Sequence, residues 1–290
     1  MPTVVERPPR LGGLYAKAAL GAVGRRGREL PSTELLRENV TVDRDHLAEY
    51  ARVCGFPVAD ALPVTYPHVL AFPLQVALMA QRSFPLPLPG LVHLRNRITV
   101  HRPIDAAESL AVRVHAEGLR AHPKGAQVDL VATIDAAGEE VWEGRSTYLA
   151  RGATAPEDAA EPSEPPGVPD GPPVATWRVD ARTGRRYAHA SGDVNPIHLH
   201  PWTAKAFGFP RAIAHGMWTA AHALAALQGR LPGALTYDVV FGKPLLLPST
   251  VQLHTSPTED GWALEVRGRK GPHLTARIAS VDPTNGAFVG

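Results

Sequence analysis

The sequence predicts an α+β fold in which one unit, a buried helix wrapped by a curled antiparallel sheet, occurs twice. Three short segments recur in the same order in the two halves of the 290-residue chain, which indicates two copies of one fold. The paired segments are Tyr50–Gly55 with Tyr187–Gly192, Pro63–His68 with Pro210–His215, and His101–Ile104 with Gly242–Leu245. Two copies side by side would form a pseudo-dimer within one chain.

Each copy contains one segment that we expect to form a buried helix. Residues Leu70–Gln81 and Met217–Gln228 are apolar or small at nearly every position, which is typical of a helix buried on most sides. After each of them, apolar and polar residues alternate, and this alternation predicts half-buried antiparallel strands. The clearest examples are Leu110–His115 and Val128–Thr133 in the first half, and Trp262–Arg267 and Leu274–Ile278 in the second.

The chain divides near its middle, at a stretch rich in Pro, Ala and Glu. Residues 152–175 contain no aromatic side chain and no hydrophobic periodicity. Such a segment cannot offset the entropy lost on ordering, so we interpret it as a solvated linker. The predicted organisation is therefore an N-terminal repeat, residues 1–151, the linker, and a C-terminal repeat, residues 176–290.

Composition and charge exclude several functional classes. The chain is 44% hydrophobic and 20% charged with a net charge of +2, as in ordinary globular proteins. Its basic residues are dispersed, so a nucleic-acid partner is not expected. The apolar run Leu14–Val23 is interrupted by Lys17 and is shorter than the roughly 20 residues of a membrane span.

The expected location is the cytoplasm. Cys54 is the single cysteine, so an intramolecular disulfide is impossible. A transit peptide in the arginine-rich first thirty residues is the alternative interpretation. It is disfavoured because Arg25 and Arg26 follow the apolar run and no small-residue cleavage site comes after it.

The densest group of chemically useful residues is Tyr187–His198. Asn195 followed by Pro196 predicts a turn and a helix start, because Asn caps free N–H groups and Pro suits the first helical position. Asp193 and His198 then lie on either side of this turn. A carboxylate and an imidazole held together can bind one water between them. The alternative, a capping Asp and a surface His, stays open on spacing alone.

A second group, Ile213–Met217, lies where the second buried helix should begin. Gly216 would let a ligand approach the backbone, and the first N–H groups of the helix could stabilise an oxyanion. The alternative is that Gly216 only permits close packing. We interpret His215 as structural, because its counterpart His68 occurs in the half that lacks the other residues.

Together these two groups resemble the signature of the MaoC-type (R)-specific enoyl-thioester hydratases, or (3R)-hydroxyacyl-thioester dehydratases, of the actinobacterial double-domain type. The matching residues are Tyr187–Pro201, Ala204, Gly208–Pro210 and Ile213–Met217, with weaker similarity over Phe241–Leu245 and Leu36–Arg151. The resemblance implies a double hot-dog fold, in which two antiparallel sheets each wrap around a long central helix. It also implies an acyl thioester substrate carried on coenzyme A or acyl carrier protein, and no metal or redox cofactor.

The resemblance assigns roles to individual residues. Asp193 and His198 would activate water, Gly216 would polarise the thioester carbonyl through its N–H, and Asn195 would hold the loop. The substrate-binding residues implied beside them are Ser191, Ala214, His215 and Met217. Which of Asp193 and His198 is the base stays open, because a coupled pair shares its protons. The expected reaction is the reversible hydration of enoyl thioesters in fatty-acid metabolism.

The first repeat is predicted to be catalytically silent. Its matching segment, Cys54–Phe56, has no Asp after the Gly and no Asn-Pro-x-x-His. A shorter connection follows, and the hypothesis is that this shortening makes room for an acyl chain beside four apolar helix residues. Those residues are Leu74, Val76, Leu78 and Met79; simple core packing is the alternative.

Other functions fit these residues less well. A hot-dog thioesterase is disfavoured by the intact Asp193, Asn195 and His198, and a non-catalytic acyl-binding subunit by the retention of every reactive position. His198 and His200 lack further metal ligands at suitable spacing, and Ser191 and Cys54 lack the context of nucleophiles. Three basic residues could bind coenzyme A phosphates or simply be solvated: Lys205, Arg211 and Lys243.

A homodimer is expected.

Overall fold

A computed structural model describes residues 2–9, 11–14, 29–88, 90–155 and 171–281. Most of the predicted linker, residues 156–170, lies outside this range. So do Arg25 and Arg26, on which the question of a transit peptide depends.

The described part of the chain contains eleven strands, six before the linker and five after it. The first six are β1 (Thr3–Val4), β2 (Leu35–Val40), β3 (Val92–Val100), β4 (Leu110–His122), β5 (Gly125–Ala136) and β6 (Glu139–Arg151). The other five are β7 (Ala175–Val179), β8 (Leu235–Phe241), β9 (Ser249–Pro257), β10 (Gly261–Gly268) and β11 (Gly271–Ser280).

The two half-sheets join into one continuous sheet. Its strand order is β1-β2-β4-β5-β6-β3-β8-β11-β10-β9-β7, and all neighbours are antiparallel except β1 and β2. The junction is the β3–β8 pair, in which Ile98 lies opposite Tyr237. Arg95 on β3 also donates to both carboxylate oxygens of Asp238 on β8. The pseudo-dimer is therefore held together by a strand ladder as well as by side chains.

Helices lie against this sheet in the same order in each half. They are α1 (Arg44–Cys54) and α2 (Tyr66–Met79) in the first half, and α3 (Thr183–Ser191), α4 (Pro196–Leu199), α5 (Pro201–Ala206) and α6 (Gly216–Ala225) in the second. Asp43 caps α1 by accepting from the N–H groups of Asp45 and His46. α1 and α3 both end at a left-handed glycine, Gly55 and Gly192.

The predicted buried helices are α2 and α6, with shifted ends. α2 begins at Tyr66 rather than at Leu70, because Pro67 suits the first turn of a helix and the polar His68 is buried with the apolar residues. α6 begins at Gly216 and ends at Ala225, three residues before the predicted end. The side chains of both helices are buried nearly all round, as their composition predicts.

The two halves differ most between their first and second long helices. Residues 55–65 connect α1 to α2 without a helix, whereas residues 192–215 connect α3 to α6 and contain α4 and α5. The longer connection carries most of the chemically useful residues. In the part of the chain that the structure describes, no helix has the length and apolar character needed to cross a membrane.

Candidate active site

A cavity of about 620 Å³ lies where α2 of the first half faces α3 and the start of α6. Its walls contain every residue that the sequence analysis places in the site. These are Ser191, Asp193, Asn195, His198, Ala214, His215, Gly216 and Met217. The end of α3, the helix α4 and the start of α6 thus bring together groups that are up to 26 positions apart in the sequence.

Asp193 is held by the end of α3. Gly192 adopts φ +74°, which turns the chain out of the helix at a position that suits glycine. Ser191 Oγ donates to the Tyr187 carbonyl at 2.7 Å and accepts from the Asp193 N–H at 3.2 Å. Asp193 Oδ1 accepts in turn from the Asn195 N–H at 3.1 Å. Ser191 therefore has the turn-forming position expected of a residue that is not a nucleophile.

His198 is placed by α4. Asn195 caps this short helix through a long contact, 3.5 Å from its Oδ1 to the Ile197 N–H, and Pro196 occupies the first turn. Gly184 of α3 lies directly against the other end: a Cβ built on Gly184 would be 2.2 Å from the His198 carbonyl oxygen. The sequence analysis missed Gly184, because only the crossing of α3 and α4 shows why the position must be glycine.

The hydrogen bonds of His198 define its tautomer. Nδ1 lies 2.9 Å from the Ile213 carbonyl, and because a carbonyl can only accept, Nδ1 carries the proton. Nε2 is then left with a lone pair. Burial lowers the pKa of His198, and the nearby Asp193 opposes this effect without cancelling it. The side chain is therefore neutral near pH 7 and can accept a proton at Nε2.

His215 supports both members of this pair. Its ring stacks on that of His198 with centroids 3.7 Å apart, and its Nε2 donates to the Asp193 carbonyl at 2.9 Å. Burial and the neighbouring His198 lower the pKa of His215 to about 3, so it stays neutral. The geometry agrees with a structural interpretation of His215, in contact with both the Asp193 backbone and the His198 ring.

Gly216 is the first residue of α6, where an N–H has no partner within the helix. A Cβ at this position would lie 2.8 Å from the ring of Phe241, which also lines the cavity. The glycine therefore allows close packing against Phe241, and the helix terminus lines the cavity with the positive end of the helix dipole.

One ligand atom each of Asp193, His198 and His215 lie within 4.8 Å of one another, a spacing that one metal ion could bridge. Both histidines already donate one ring N–H to a carbonyl. The planes of the two rings make an angle of only 26°, so the remaining lone pairs of His198 and His215 lie in nearly parallel planes. A metal ion with tetrahedral coordination needs ligand lone pairs that point at one common centre. His200, the other candidate ligand, instead caps α5 at Trp202.

The first half also lines this cavity, and the sequence analysis missed the role of three of its lining side chains. They are His68, His93 and Tyr148. The His93 ring stacks on Tyr148 at 4.5 Å and touches Phe241 at 4.8 Å. Burial lowers the pKa of His68 to about 4 and of His93 to about 3. The sequence repeat that pairs His68 with His215 could have indicated that His68 also lies at the site.

The cavity wall bears on two alternatives that the sequence left open, the first of which concerns four apolar residues of α2. Of the residues that the structure describes, the cavity wall contributed by α2 consists of His68, Val69, Phe72 and Met79. Leu74, Val76 and Leu78 instead pack into the core, because they lie on other faces of a helix that is buried all round.

The second alternative concerns three basic residues that could bind coenzyme A phosphates or simply be solvated: the described cavity wall includes Lys243 but neither Lys205 nor Arg211. Lys205 instead lies 4.9 Å over the ring of Trp202. Basic side chains from both halves accompany Lys243 at the cavity: His122, Lys124, Arg151 and His273.

The corresponding place in the first half is filled. Trp218 Nε1 donates to the Val53 carbonyl at 3.0 Å, and His222 Nδ1 lies 2.8 Å from the Cys54 carbonyl. The Trp177 ring packs edge-on against His222 at 4.4 Å. Cys54 is fully buried, and burial raises the pKa of its thiol to about 12, so it is not a reactive thiolate.

The sequence and the fold of this chain match those of known proteins. The profile of the MaoC-like domain matches residues 161–270. The 3-hydroxyacyl-thioester dehydratase X of Mycobacterium tuberculosis is 41% identical over 268 residues, which cover 90% of this chain and 95% of that protein. The crystal structure of HtdX from the same organism has a TM-score of 0.77 at 39% identity and covers 86% of this chain and 100% of that one.

The chain belongs to the MaoC-like dehydratase family. A more distant relative, the peroxisomal enoyl-CoA hydratase 2 of Arabidopsis thaliana, is 30% identical over 49% of this chain and 52% of that protein. The family resemblance and the double hot-dog fold predicted from the sequence are therefore confirmed.

Proposed function

We propose that the protein is a hydro-lyase that adds water reversibly to trans-2-enoyl thioesters and dehydrates (3R)-hydroxyacyl thioesters. The observation that carries the proposal is that the Asp193 carboxylate lies close to a neutral His198. Nε2 of His198 carries no proton, and both residues line the same cavity as the N-terminus of α6. The names of the relatives, a 3-hydroxyacyl-thioester dehydratase and an enoyl-CoA hydratase, support the same reaction class.

In the hydration direction, one water is held between Asp193 and His198. His198 Nε2 takes a proton from this water as its oxygen bonds to C3 of the substrate, and the Asp193 carboxylate stabilises the imidazolium that forms. The electron pair of the C2–C3 double bond moves towards the thioester carbonyl. The imidazolium then returns a proton to C2. Dehydration follows the same steps in reverse.

The charge that develops on the thioester oxygen requires a donor. The Gly216 N–H and the dipole of α6 supply it without a side chain. One donor of this kind typically contributes on the order of 3 kcal/mol to transition-state stability. No redox cofactor is needed in this scheme, since water addition transfers no electrons to an acceptor, and the Gly216 N–H fills the electrophilic role that a metal ion would otherwise supply.

The substrate carrier is coenzyme A or acyl carrier protein, both of which present a phosphorylated pantetheine. The basic residues Lys124, Arg151 and Lys243 at the cavity support this assignment, because ammonium and guanidinium groups attract phosphates. The acyl chain would then enter the part of the cavity lined by α2.

The proposal is tested by following the enoyl-thioester absorbance of crotonyl-CoA. Asp193→Asn and His198→Gln should each lower kcat by at least about 10²-fold with unchanged folding, since general acid–base catalysis contributes about that much. His189→Gln, an exposed histidine of α3 that pairs with Glu49, is the matched control. Wild-type rates in Asp193→Asn would refute the site. If free thiol is released instead, the protein is a thioesterase. If neither the absorbance nor the free thiol changes, the protein is a subunit that binds acyl thioesters without catalysis.

We further propose that the enzyme works in the cytoplasm as a homodimer. The fused repeats already provide one pseudo-dimer interface, and the outer strands β1 and β7 leave two sheet edges for association. Light scattering should give twice the chain mass of 31.0 kDa. A mass of 31.0 kDa at micromolar concentration would contradict the dimer.

A further inference from the structure

The glycine that ends α3 comes directly before Asp193 in the chain. Gly192 adopts φ +74°, and a residue without a Cβ can rotate about its backbone bonds more freely than any other. The hydrogen bonds of Asp193 with Ser191 and Asn195 join close neighbours, so they move together with the turn. The direction of the Asp193 carboxylate therefore depends on what packs against Gly192 from elsewhere in the molecule.

A leucine of the N-terminal segment packs against this glycine. A Cβ built on Gly192 would lie 2.6 Å from Cδ1 of Leu11. Outside the turn itself, no other atom of the residues that the structure describes comes within 4 Å of that position. Leu11 is partly buried against the core, and the same segment is held a few residues earlier by the pairing of β1 with β2. The segment thus links the edge of the first half to the end of α3.

The first repeat confines its equivalent glycine in a different way. Gly55 corresponds to Gly192, and both end a helix in the left-handed conformation. A Cβ on Gly55 would lie 3.0 Å from Nδ1 of His222, which belongs to the central helix α6 of the other repeat. The sequence repeat pairs His222 with Gln75 of α2, but no atom of Gln75 lies within 4 Å of the Cβ position of Gly192. Leu11 takes the place that a central helix fills in the silent repeat.

We propose that Leu11 is a positioning residue of the active site, which confines Gly192 and thereby keeps the Asp193 carboxylate close to His198. This inference rests on the proposed function. Leu11 is not part of the described cavity wall, so its effect passes to Asp193 through the backbone of Gly192. A displacement of about 1 Å at a reacting group can lower a rate by about 10²-fold, so a lost packing contact at this turn should change kcat.

The kinetic test replaces the leucine and leaves every reacting group unchanged. Leu11→Ala should lower kcat for crotonyl-CoA by at least about tenfold and change KM by less than about threefold, because substrate binding does not use this contact. Leu11→Met fills the same space with a similar volume and should keep kcat within about threefold of the wild-type value. Leu14→Ala is the matched control and should also keep kcat. Leu14 lies in the same segment and packs against the core, but away from Gly192.

Amide hydrogen exchange tests the same contact without using the activity. Leu11→Ala should speed exchange in residues 192–198 by at least about threefold, because exchange reports local opening of the backbone. Leu14→Ala should leave the exchange of these residues unchanged. If Leu11→Ala does not fold, Leu11→Val, which removes less of the side chain, takes its place in both measurements.

Three results would overturn the proposal. Wild-type kcat in Leu11→Ala would show that the contact does not position Asp193. Equal losses of kcat in Leu11→Ala and Leu14→Ala would show a general effect of the segment on folding. If the wild-type protein does not hydrate crotonyl-CoA, the proposed function fails and the catalytic role of Leu11 fails with it, even where the exchange data confirm the packing contact.

Discussion

Four histidines around the cavity share one electrostatic property: burial keeps them neutral. The pKa of His198 is lowered, and those of the other three fall to about 4 for His68 and about 3 for His93 and His215. Neutrality leaves a lone pair on each ring, which His198 needs if it is to accept a proton from water. The same property makes the fold sensitive to acid.

The free energy of unfolding should therefore fall steeply below pH 6.5. The unfolded chain binds protons at these histidines near their ordinary pKa, whereas the folded chain does not, so unfolding takes up protons. This stability is complete above pH 6.5 and is lost as the pH falls towards the folded values, by about 1.4 kcal/mol per pH unit for each of His68, His93 and His215. Urea titrations from pH 7.5 to 5 measure this dependence.

A matched variant isolates one of these protons. His93→Phe keeps an aromatic ring between Tyr148 and Phe241. The free energy of unfolding of this variant should depend less steeply on pH, because the contribution of one histidine is removed. A free energy of unfolding that is constant between pH 7 and 5 would contradict this account.

Gln75 of α2 supplies a second prediction at this scale, because its side chain is buried and its amide bonds to no residue that the structure describes. Replacing its unpartnered amide by Leu removes an unsatisfied buried group and should raise the free energy of unfolding by about 1–3 kcal/mol. The exposed Gln228→Leu should change it by less than about 0.5 kcal/mol. Chemical denaturation of the three proteins measures the difference. Destabilisation by Gln75→Leu would mean that the amide has a partner within the protein.

At the scale of elements, the site depends on how α3 and α4 cross. The left-handed Gly192 ends α3, Asn195 starts α4, and His198 comes one turn later. The backbone of α3 touches the His198 carbonyl at Gly184, so the two helices meet without a side chain between them. The position of His198 is thus set by backbone packing as well as by its own hydrogen bond.

Gly184→Ala should therefore impair catalysis without touching a reacting group. The new Cβ would lie 2.2 Å from the His198 carbonyl oxygen, so α4 must move. We expect a loss of about 1–3 kcal/mol in the free energy of unfolding, and a decrease of kcat by at least about tenfold with a smaller change in KM. Gly233→Ala, whose Cβ would make only ordinary contacts with Pro103, is the control. Equal kcat values for the two variants would contradict a positioning role.

At the scale of the whole molecule, the proposed reactive residues all belong to the second repeat, whereas both repeats line the cavity. α2, β3 and β6 of the first half supply His68, His93 and Tyr148 to a site whose proposed reactive groups all come from the second half. The β3–β8 ladder fixes the two halves relative to each other. The first repeat is therefore a wall of the active site as well as a folding partner.

The continuous sheet predicts that both halves unfold together. Arg95→Met removes the double hydrogen bond to Asp238 across the junction and should cost about 1–3 kcal/mol, since both side chains are about three-quarters buried. Scanning calorimetry should still show one transition, because the backbone ladder remains. Two separate transitions in the wild-type protein would show that the halves fold independently.

The sequence predicts well what is local and poorly what depends on packing. Asp193, Asn195 and His198 fall within six residues, and Gly216 begins a helix whose composition is evident, so these residues could be found from spacing and resemblance. His93 reaches the cavity only through the pairing of strands from different parts of the chain. The sequence also does not show which face of α2 lines the cavity, because hydrophobic periodicity cannot distinguish the faces of a helix that is buried on all sides.

The most direct test of the central claim is to incubate the enzyme with crotonyl-CoA in water enriched in heavy oxygen and to analyse the products by mass spectrometry. The Asp193 and His198 geometry predicts 3-hydroxybutyryl-CoA with one heavy oxygen at C3 and an intact thioester. Labelled crotonate together with free coenzyme A would instead mean that water attacks the thioester carbonyl, and would contradict the account.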